Sequence, residues 1–197
     1  MNQFSESYWT ERYKNNEAAW DAGSITTPIK AYVDQLKDKT LKILIPGAGN
    51  GHEAEYLMTH GFKNVFVLDI SEAPIANIKK RLPEFPTDQL ITGDFFKHNQ
   101  TYDLILEQTF FCALDPVLQK DYAPQIHKLL KPGGKLAGVL FTEPLHTTVP
   151  PFALSKQAYV SLFQPYFNIQ TLETCYNSIK PRQGRELFAI LQKKEEG

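Results

Sequence analysis

Residues 41–51 read LKILIPGAGNG and set the architecture of the chain. The aliphatic run 41–45 predicts a short buried strand. Three glycines then follow at alternate positions, Gly47, Gly49 and Gly51. Glycines directly after a strand leave the backbone bare, so that a ligand can approach it closely. We therefore predict that this loop lies at a ligand-binding edge of a sheet.

Downstream of the loop, helix-like and strand-like segments alternate. The predicted helices are 52 to about 60, 71 to about 82 with Ser71 as N-cap, and 116–130; the predicted strands are 65–69, 89–92, 102–108 and 135–141. This alternation indicates a mostly parallel sheet. Two strand-like runs, 167–174 and 186–192, predict an antiparallel hairpin at one edge. The fold class is thus α/β, a doubly wound, Rossmann-like, seven-stranded sheet with an N-terminal helical cap.

Length and composition limit the number of domains and the kinds of partner that we expect. At 197 residues we expect one domain, with 1–40 as a cap and 41–197 as the core. The formal net charge of −1 builds no basic field for nucleic acid, and no apolar run approaches a membrane span. Two cysteines, Cys112 and Cys175, make neither a disulfide framework nor a metal cluster. We expect a cytoplasmic monomer without a metal, nucleic-acid or membrane partner.

The spacing of the glycines narrows the class of ligand that the loop is expected to bind. Dinucleotide loops read G-x-G-x-x-G and are followed about 20 residues on by an acid for a ribose hydroxyl. Asp69, followed by Ile70, supplies that acid, but His52 occupies the place of the third glycine. The G-x-G-x-G form resembles the loop of S-adenosylmethionine-dependent methyltransferases, whose cofactor carries no phosphate. We expect the three glycines, Asp69 and Ile70 to bind such a cofactor; a mere tight turn is the alternative.

The ends of the third and fourth strands offer further polar groups. In GDFF, the Asp94 carboxylate is expected to accept a hydrogen bond from the adenine amino group, and Phe95 to stack on its ring. A surface aspartate beside core phenylalanines is the alternative. Glu107 and Gln108 end the fourth strand, where we predict that both lie at the mouth of the cleft.

The chain resembles the thiopurine S-methyltransferase family, including its plant thiol and halide methyltransferase branch. The resemblance rests on YWTERYKNNEAAWDAG, IPGAGNGHEA, VLDIS, GDFF, YDLILEQTFFCALDP, LLKPGG, PPFALS and NSIKPRQGREL. It implies a class I methyltransferase fold that uses S-adenosylmethionine and releases S-adenosylhomocysteine. It also implies that Trp9, Tyr13 and Trp20 surround the cofactor, where their faces would attract its sulfonium. Gln108 stands where the plant branch has Tyr and the thiopurine branch has Arg, so the substrate is left open.

The residues around the predicted acceptor site suit a small, soft nucleophile, most simply a thiol or a halide-like anion. Phe110 or Phe111 is expected to wall the methyl-transfer cavity. Phe111 is assigned to the acceptor pocket together with Pro151 and Phe152, which belong to a lid that follows the fifth strand. No catalytic residue is assigned. His146 in the same lid is the candidate that could deprotonate an acceptor, against the alternative of a solvated histidine.

Other interpretations remain open from the sequence. Cys112 is expected to be a buried filler rather than a nucleophile. Arg182 and Arg185 are expected to form salt bridges, with an acidic substrate as the alternative. On the same fold, an O- or N-methyltransferase, a NAD-dependent oxidoreductase and a catalytically inactive cofactor-binding protein are the competing functions.

Overall fold

The computed structural model describes residues 4–144 and 148–194. These ranges contain seven strands and six α-helices. In chain order they are α1 (Glu6–Lys14), α2 (Thr27–Val33), β1 (Ile43–Pro46), α3 (His52–Thr59), β2 (Val65–Asp69), α4 (Glu72–Arg81), β3 (Leu90–Thr92), β4 (Tyr102–Gln108), α5 (Gln119–Leu129), β5 (Leu130–Phe141), α6 (Lys156–Phe163), β6 (Phe167–Thr174) and β7 (Glu186–Lys193).

The strands form one sheet in the order β3-β2-β1-β4-β5-β7-β6. Strands β1 to β5 pair in parallel, whereas β7 is antiparallel to both β5 and β6. The predicted α/β class, mostly parallel sheet and C-terminal hairpin are confirmed. From β1 the chain runs outward to β3 and then returns to β4 on the other side. The carboxyl ends of β1 and β4 therefore flank the switch point, where ligands of such sheets bind.

Both faces of the sheet are covered, which explains the continuous apolar runs of its central strands. Every residue of β1 is buried. Leu44 belongs to a core cluster with residues of α5 and α6, while Ile43 and Ile45 belong to a second cluster with residues of α2, α3 and α4. Strands buried on both faces lose the polar–apolar alternation of a half-exposed strand. No helix among the described residues is long and apolar enough to cross a membrane.

Local sequence signals place several boundaries. Ser71 caps α4 as predicted, because its side chain accepts the Ala73 N–H at 3.2 Å. The predicted helix 116–130 is instead a 3₁₀ turn at Pro116–Leu118 followed by α5. Strand β5 begins at Leu130, five residues earlier than predicted, because Leu130 already pairs with Tyr102 of β4.

Two helices have bounds that the sequence analysis did not give, one inside the predicted N-terminal helical cap and one after the predicted lid loop. Helix α2 begins with a proline in its first turn, a favoured place for it, and buries Ile29 and Val33. Helix α6 begins after Ser155, whose side chain accepts the Ala158 N–H, and buries Tyr159 and Phe163. The stretch that precedes α6 was assigned to the lid loop, and the Ser155 cap was the signal that could have marked where the loop ends.

Candidate functional site

A cavity of about 1020 Å³ opens at the carboxyl edge of the sheet. Its walls are the loop after β1, the carboxyl ends of β2, β3 and β4, the N-terminal segment, and residues 149–151 after β5. This is the position that the switch point of the sheet predicts for a ligand. The volume is at the upper end of the usual range for small-molecule sites, roughly 300–1,000 Å³.

The glycine loop brings bare backbone to the cavity in two of its three positions. Gly47, Gly49 and Gly51 all have positive φ, +57°, +52° and +69°, a conformation that favours glycine. Gly47 and Gly49 line the cavity. A Cβ at Gly49 would lie 3.0 Å from the Tyr13 hydroxyl. Gly51 is instead buried outside the lining, where a Cβ would lie 2.6 Å from Ile78 of α4. Its role here is the packing of two helices.

Asp69 ends β2 with its carboxylate in the cavity wall and only 7% of the residue exposed. One oxygen accepts the Gly49 N–H at 3.1 Å and the other accepts the Ser71 N–H at 2.9 Å. Burial nevertheless raises the pKa of Asp69 to about 6. A carboxylate with two oxygens and no cationic partner among the described residues suits a pair of neighbouring hydroxyl donors.

The end of β3 supplies the next part of the wall. Asp94 and Phe95 both line the cavity, as does Ile70 after β2. One Asp94 oxygen accepts the Phe96 N–H at 2.9 Å, and the other stands 3.9 Å from the Lys97 ammonium. The Phe95 ring is nearly buried and meets the Phe110 ring edge-on, with centroids 5.0 Å apart. An apolar ring beside a half-exposed carboxylate fits a flat heterocycle with an amino group.

Three aromatic side chains of the N-terminal segment, Trp9, Tyr13 and Trp20, also line the cavity. Trp20 meets Trp9 and Tyr13 edge-on, with centroids 5.4 and 5.6 Å apart. Burial, and then the charge of Asp69, raise the pKa of Tyr13, so its hydroxyl stays neutral. The Thr10 hydroxyl in α1 hydrogen-bonds Ser71 at 2.7 Å, which fixes this helix beside the Asp69 carboxylate. The Tyr13 hydroxyl of this aromatic set lies against the glycine loop at Gly49.

The last two residues of β4 point to opposite sides. Gln108 lines the cavity, and its Oε1 accepts the Thr26 hydroxyl at 2.7 Å, while its amide nitrogen has no partner among the described residues. Glu107 is 1% exposed and lies outside the lining. The prediction that Glu107 lies at the cleft mouth is therefore wrong. Because neighbours in a strand alternate between faces, one of the two had to point away.

The turn after β4 places Phe110, not Phe111, in the cavity wall. Phe111 is 1% exposed and packs beneath the wall against Tyr122 and Tyr159, with ring centroids 5.0 and 5.5 Å away. The single turn of 3₁₀ helix at Phe111–Ala113 rotates the two rings apart. The structure thus moves the predicted role from Phe111 to its neighbour.

The lid segment contributes Pro150 and Pro151 to the wall. Phe152, predicted as a third lid residue, lies behind them, where its ring meets Phe4 at 5.5 Å and its N–H donates to the Cys112 carbonyl at 2.7 Å. Phe152 therefore ties the lid to the turn after β4 instead of lining the cavity. His146 lies outside the described residues.

Several charged groups of the wall escaped the sequence analysis. The His52 ring contacts the Asp21 carboxylate at 2.7 Å. Burial would raise the pKa of Asp21, but hydrogen bonds from Asn50, Gly23 and His52 lower it. Glu53 also lines the cavity. The presence of His52 where a dinucleotide loop has its third glycine was the one signal of this cluster in the sequence.

Arg182 connects the hairpin loop with the N-terminal segment. Its guanidinium donates to the Trp20 carbonyl at 2.7 Å and lies 3.8 Å from the Glu186 carboxylate. The expectation of a salt bridge is confirmed for Arg182. For Arg185 no ion pair lies within 4 Å in the described ranges. The same ranges hold no group of three His, Cys, Asp or Glu side chains that could bind a metal.

Known proteins are similar to this chain in sequence or in fold. "Probable thiol methyltransferase 2" of Arabidopsis thaliana is 28% identical over 192 residues, covering 94% of this chain and 84% of the relative. "Thiocyanate methyltransferase 1" of Brassica oleracea is 28% identical over 187 residues, covering 92% and 82%. Among solved structures, the 1,6-didemethyltoxoflavin-N1-methyltransferase of Burkholderia thailandensis, with bound S-adenosylhomocysteine, has a TM-score of 0.77 at 17% identity, covering 96% and 87%.

The family assignment rests on the whole chain. The family model described as thiopurine S-methyltransferase matches residues 4–196, which include every motif of the site. The carboxylate, the bare glycine loop and the apolar ring pocket fit a nucleoside cofactor that carries no phosphate. The chain belongs to the thiopurine S-methyltransferase family and is an S-adenosylmethionine-dependent methyltransferase that acts on small molecules.

Proposed function

We propose that the methyl acceptor is a soft nucleophile, a thiol or a halide-like anion. The observation that carries this proposal is the apolar wall formed by Phe110, Cys112, Pro150 and Pro151. Burial raises the pKa of Cys112 well above its ordinary value, so the one ionisable side chain of this wall stays neutral. A wall whose described residues supply no base suits an acceptor that is already anionic or that ionises easily. The relatives named thiol and thiocyanate methyltransferase support this proposal.

The proposed cofactor contacts follow the edge of the sheet. Asp69 would accept the ribose hydroxyls, Ile70, Asp94 and Phe95 would enclose the adenine, and the bare backbone at Gly47 and Gly49 would let the cofactor approach. Trp9, Tyr13 and Trp20 would face its sulfonium, with Gln108 beside the aminoacyl end. Gly51 is left out of this set, since it packs helices. S-adenosylmethionine supplies a methyl group that the positive sulfur already activates.

The protein's part in the reaction is then to position the acceptor and to exclude water. The Phe110 ring and the two prolines would hold the nucleophile in line with the methyl carbon, and correct alignment alone is worth several orders of magnitude in rate. A thiol with a pKa near 8.5 is a few per cent ionised at pH 7, which suffices without a base. Cys112, neutral and buried, would not compete as a methyl acceptor.

The N-terminal segment is proposed to be a cap over the cofactor. Residues 1–40 would form it and 41–197 the core of one domain, in a monomer located in the cytoplasm. Support comes from the Thr10–Ser71 hydrogen bond and the Arg182–Trp20 hydrogen bond, which join the segment to both sides of the cavity. A cap that carries the aromatic faces would bind the sulfonium and shield the reaction from water with one segment.

A parallel screen of acceptors tests the proposed function. The assay measures S-adenosylhomocysteine released with thiols, thiopurines, thiocyanate, iodide and bromide, beside phenols and amines of matched size. We expect turnover with at least one thiol or soft anion, at a kcat/KM at least tenfold above that of the matched phenol or amine. Turnover restricted to phenols or amines would refute the acceptor class and leave the family and the cofactor intact.

A further inference from the structure

Glu53, the second residue of α3, places a carboxylate in the wall of the cavity. Only 7% of the residue is exposed. Within residues 4–144 and 148–194, no cationic group lies within 4 Å of this carboxylate and no other side chain donates a hydrogen bond to it. Burial raises its pKa. Such a carboxylate is costly to ionise unless a cation joins it.

The two basic groups that face Glu53 already have acidic partners. His52 contacts Asp21 at 2.7 Å. Arg182 lies 3.8 Å from Glu186 and donates to a backbone carbonyl. Both basic side chains are therefore paired with acids other than Glu53. A ligand that brings a positive charge would supply the cationic partner that the described residues do not give the Glu53 carboxylate.

The position of Glu53 along the sheet edge indicates which part of the cofactor it meets. The adenine and ribose contacts proposed above lie at the ends of β3 and β2, at Asp94 and Asp69. Glu53 lies past the glycine loop, in the helix that follows β1, close enough to Asp21 of the cap for the charge of Asp21 to act on it. The end of the cofactor farthest from its adenine is an amino acid, whose α-amino group is cationic at neutral pH.

We propose that Glu53 binds the α-ammonium group of the cofactor's aminoacyl end. This inference rests on the proposed placement of the cofactor. The cofactor's other positive charge, its sulfonium, has no hydrogen to donate and is met by the aromatic faces of the cap. An ammonium donates up to three hydrogen bonds, and a buried carboxylate is the strongest acceptor for them. Glu53 would thereby distinguish the whole cofactor from nucleosides that lack the amino acid.

Two ligands separate the amino-acid end from the rest of the cofactor, and the Glu53→Gln variant then isolates the contact with its ammonium. S-adenosylhomocysteine has the amino acid but no sulfonium, and 5′-methylthioadenosine has the same adenine, ribose and sulfur without the amino acid. Calorimetry of both ligands is compared for the unmodified chain and for Glu53→Gln, which keeps the side-chain shape and removes the charge. We expect S-adenosylhomocysteine to bind at least tenfold more weakly to the variant, with less than a twofold change for 5′-methylthioadenosine.

Glu55→Gln is the matched control, because Glu55 lies on the same helix but faces outward in an ion pair with Arg81. It should change the affinity for neither ligand by more than twofold. Equal losses for both ligands in Glu53→Gln, or no loss for either, would overturn the inference. If Glu53→Gln does not fold, Glu53→Asp replaces it, with the same selective loss expected because the carboxylate is withdrawn by one methylene. Failure of the unmodified chain to bind either ligand would refute the cofactor placement itself.

Discussion

The Glu107 carboxylate accepts the backbone N–H of Phe110 at 2.7 Å and thereby fixes the wall of the cavity from behind. The same oxygen accepts the Phe111 N–H at 3.0 Å, and the other oxygen accepts the Tyr122 hydroxyl. Thr109, the residue before Phe110, has φ of +59°, a conformation that a β-branched residue rarely adopts. The hydrogen bonds of one buried carboxylate offset this strain and hold the Phe110 ring at the cavity.

Replacing Glu107 should therefore destabilise the protein strongly. Glu107→Ala leaves two backbone N–H groups and one hydroxyl buried without an acceptor, at about 1–3 kcal/mol each. We expect the free energy of unfolding in urea to fall by about 3 kcal/mol or more. Glu107→Gln, which keeps one accepting oxygen, should lose less than half of that. Glu173→Ala, an exposed carboxylate paired with Lys156, is the control and should lose under about 0.5 kcal/mol. Equal losses for Glu107→Ala and the control would contradict the role.

Cofactor affinity should fall as Asp69 becomes protonated. Burial raises the pKa of Asp69 to about 6. The ribose hydroxyls donate to the ionised carboxylate, so binding favours the charged form and is strongest above pH 6. The dissociation constant of S-adenosylhomocysteine should rise as the pH falls below 6, by up to about tenfold per unit. The ligand's own amino and carboxyl groups titrate outside pH 5–7.

Asp69→Asn provides the comparison for this pH dependence. The variant should bind at least tenfold more weakly at pH 7, and its rise below pH 6 should be shallower, because its amide does not titrate and only the proposed contact with Glu53 remains sensitive to pH. Parallel pH profiles of the variant and the unmodified chain would assign the titration to another group and remove Asp69 from the ribose site.

The aromatic cap should bind the sulfonium rather than only pack against the cofactor. S-adenosylmethionine has the positive sulfur and S-adenosylhomocysteine does not, so the difference between them isolates the cation–π term. Trp20→Leu should weaken S-adenosylmethionine about 5- to 30-fold more than S-adenosylhomocysteine. Tyr176→Leu, at an aromatic that is 87% exposed, is the control and should affect neither. Equal weakening of the two ligands by Trp20→Leu would reduce the aromatic role to packing.

The sequence indicated the cofactor side of the site better than the acceptor side. Gly47, Gly49 and Asp69 follow the first two strands in an order typical of a ligand-binding loop, and all three line the cavity. Glu107 and Gln108 show the limit. Strand alternation lets only one of two neighbours face the cavity, and the prediction that both do was wrong for Glu107. Its partner Tyr122 lies 15 residues further along the chain and leaves no local pattern.

The geometry of the turn after β4 could likewise not be predicted from the sequence. Phe110 and Phe111 are identical residue types, and only the 3₁₀ turn after Thr109 decides which ring faces the cavity. Nothing in TFFCA specifies that turn without the Glu107 hydrogen bonds. The charged cluster of His52 and Glu53 was missed because its acids and bases come from three separate segments, which meet only when the cap lies on the core.

The pH dependence of turnover should separate thiol acceptors from halides. If the apolar wall supplies no base, a thiol must ionise by itself, and kcat/KM should climb about tenfold per pH unit up to the thiol's own pKa. Iodide, which is already anionic, should show no such rise above pH 7. Rates are compared between pH 6.5 and 9 at saturating S-adenosylmethionine. A parallel rise for iodide would place an ionising group of the protein in the reaction and contradict an acceptor site without a base.

The contact between Gly47 and Phe110 allows the loop and the wall to be tested together. A Cβ at Gly47 would overlap the Phe110 side chain, whereas a Cβ at Gly184, which also has positive φ, would meet nothing within 4 Å. Gly184→Ala should therefore lose only the conformational term, about 1–2 kcal/mol of unfolding free energy. Gly47→Ala should lose at least about 1 kcal/mol more, together with turnover. In the double variant Gly47→Ala/Phe110→Ala the clash disappears, so its loss should be smaller than the sum of the two single losses. Strictly additive losses would show that the Phe110 ring is not held against the glycine loop, and the account of Glu107 as the residue that positions this wall would fail with it.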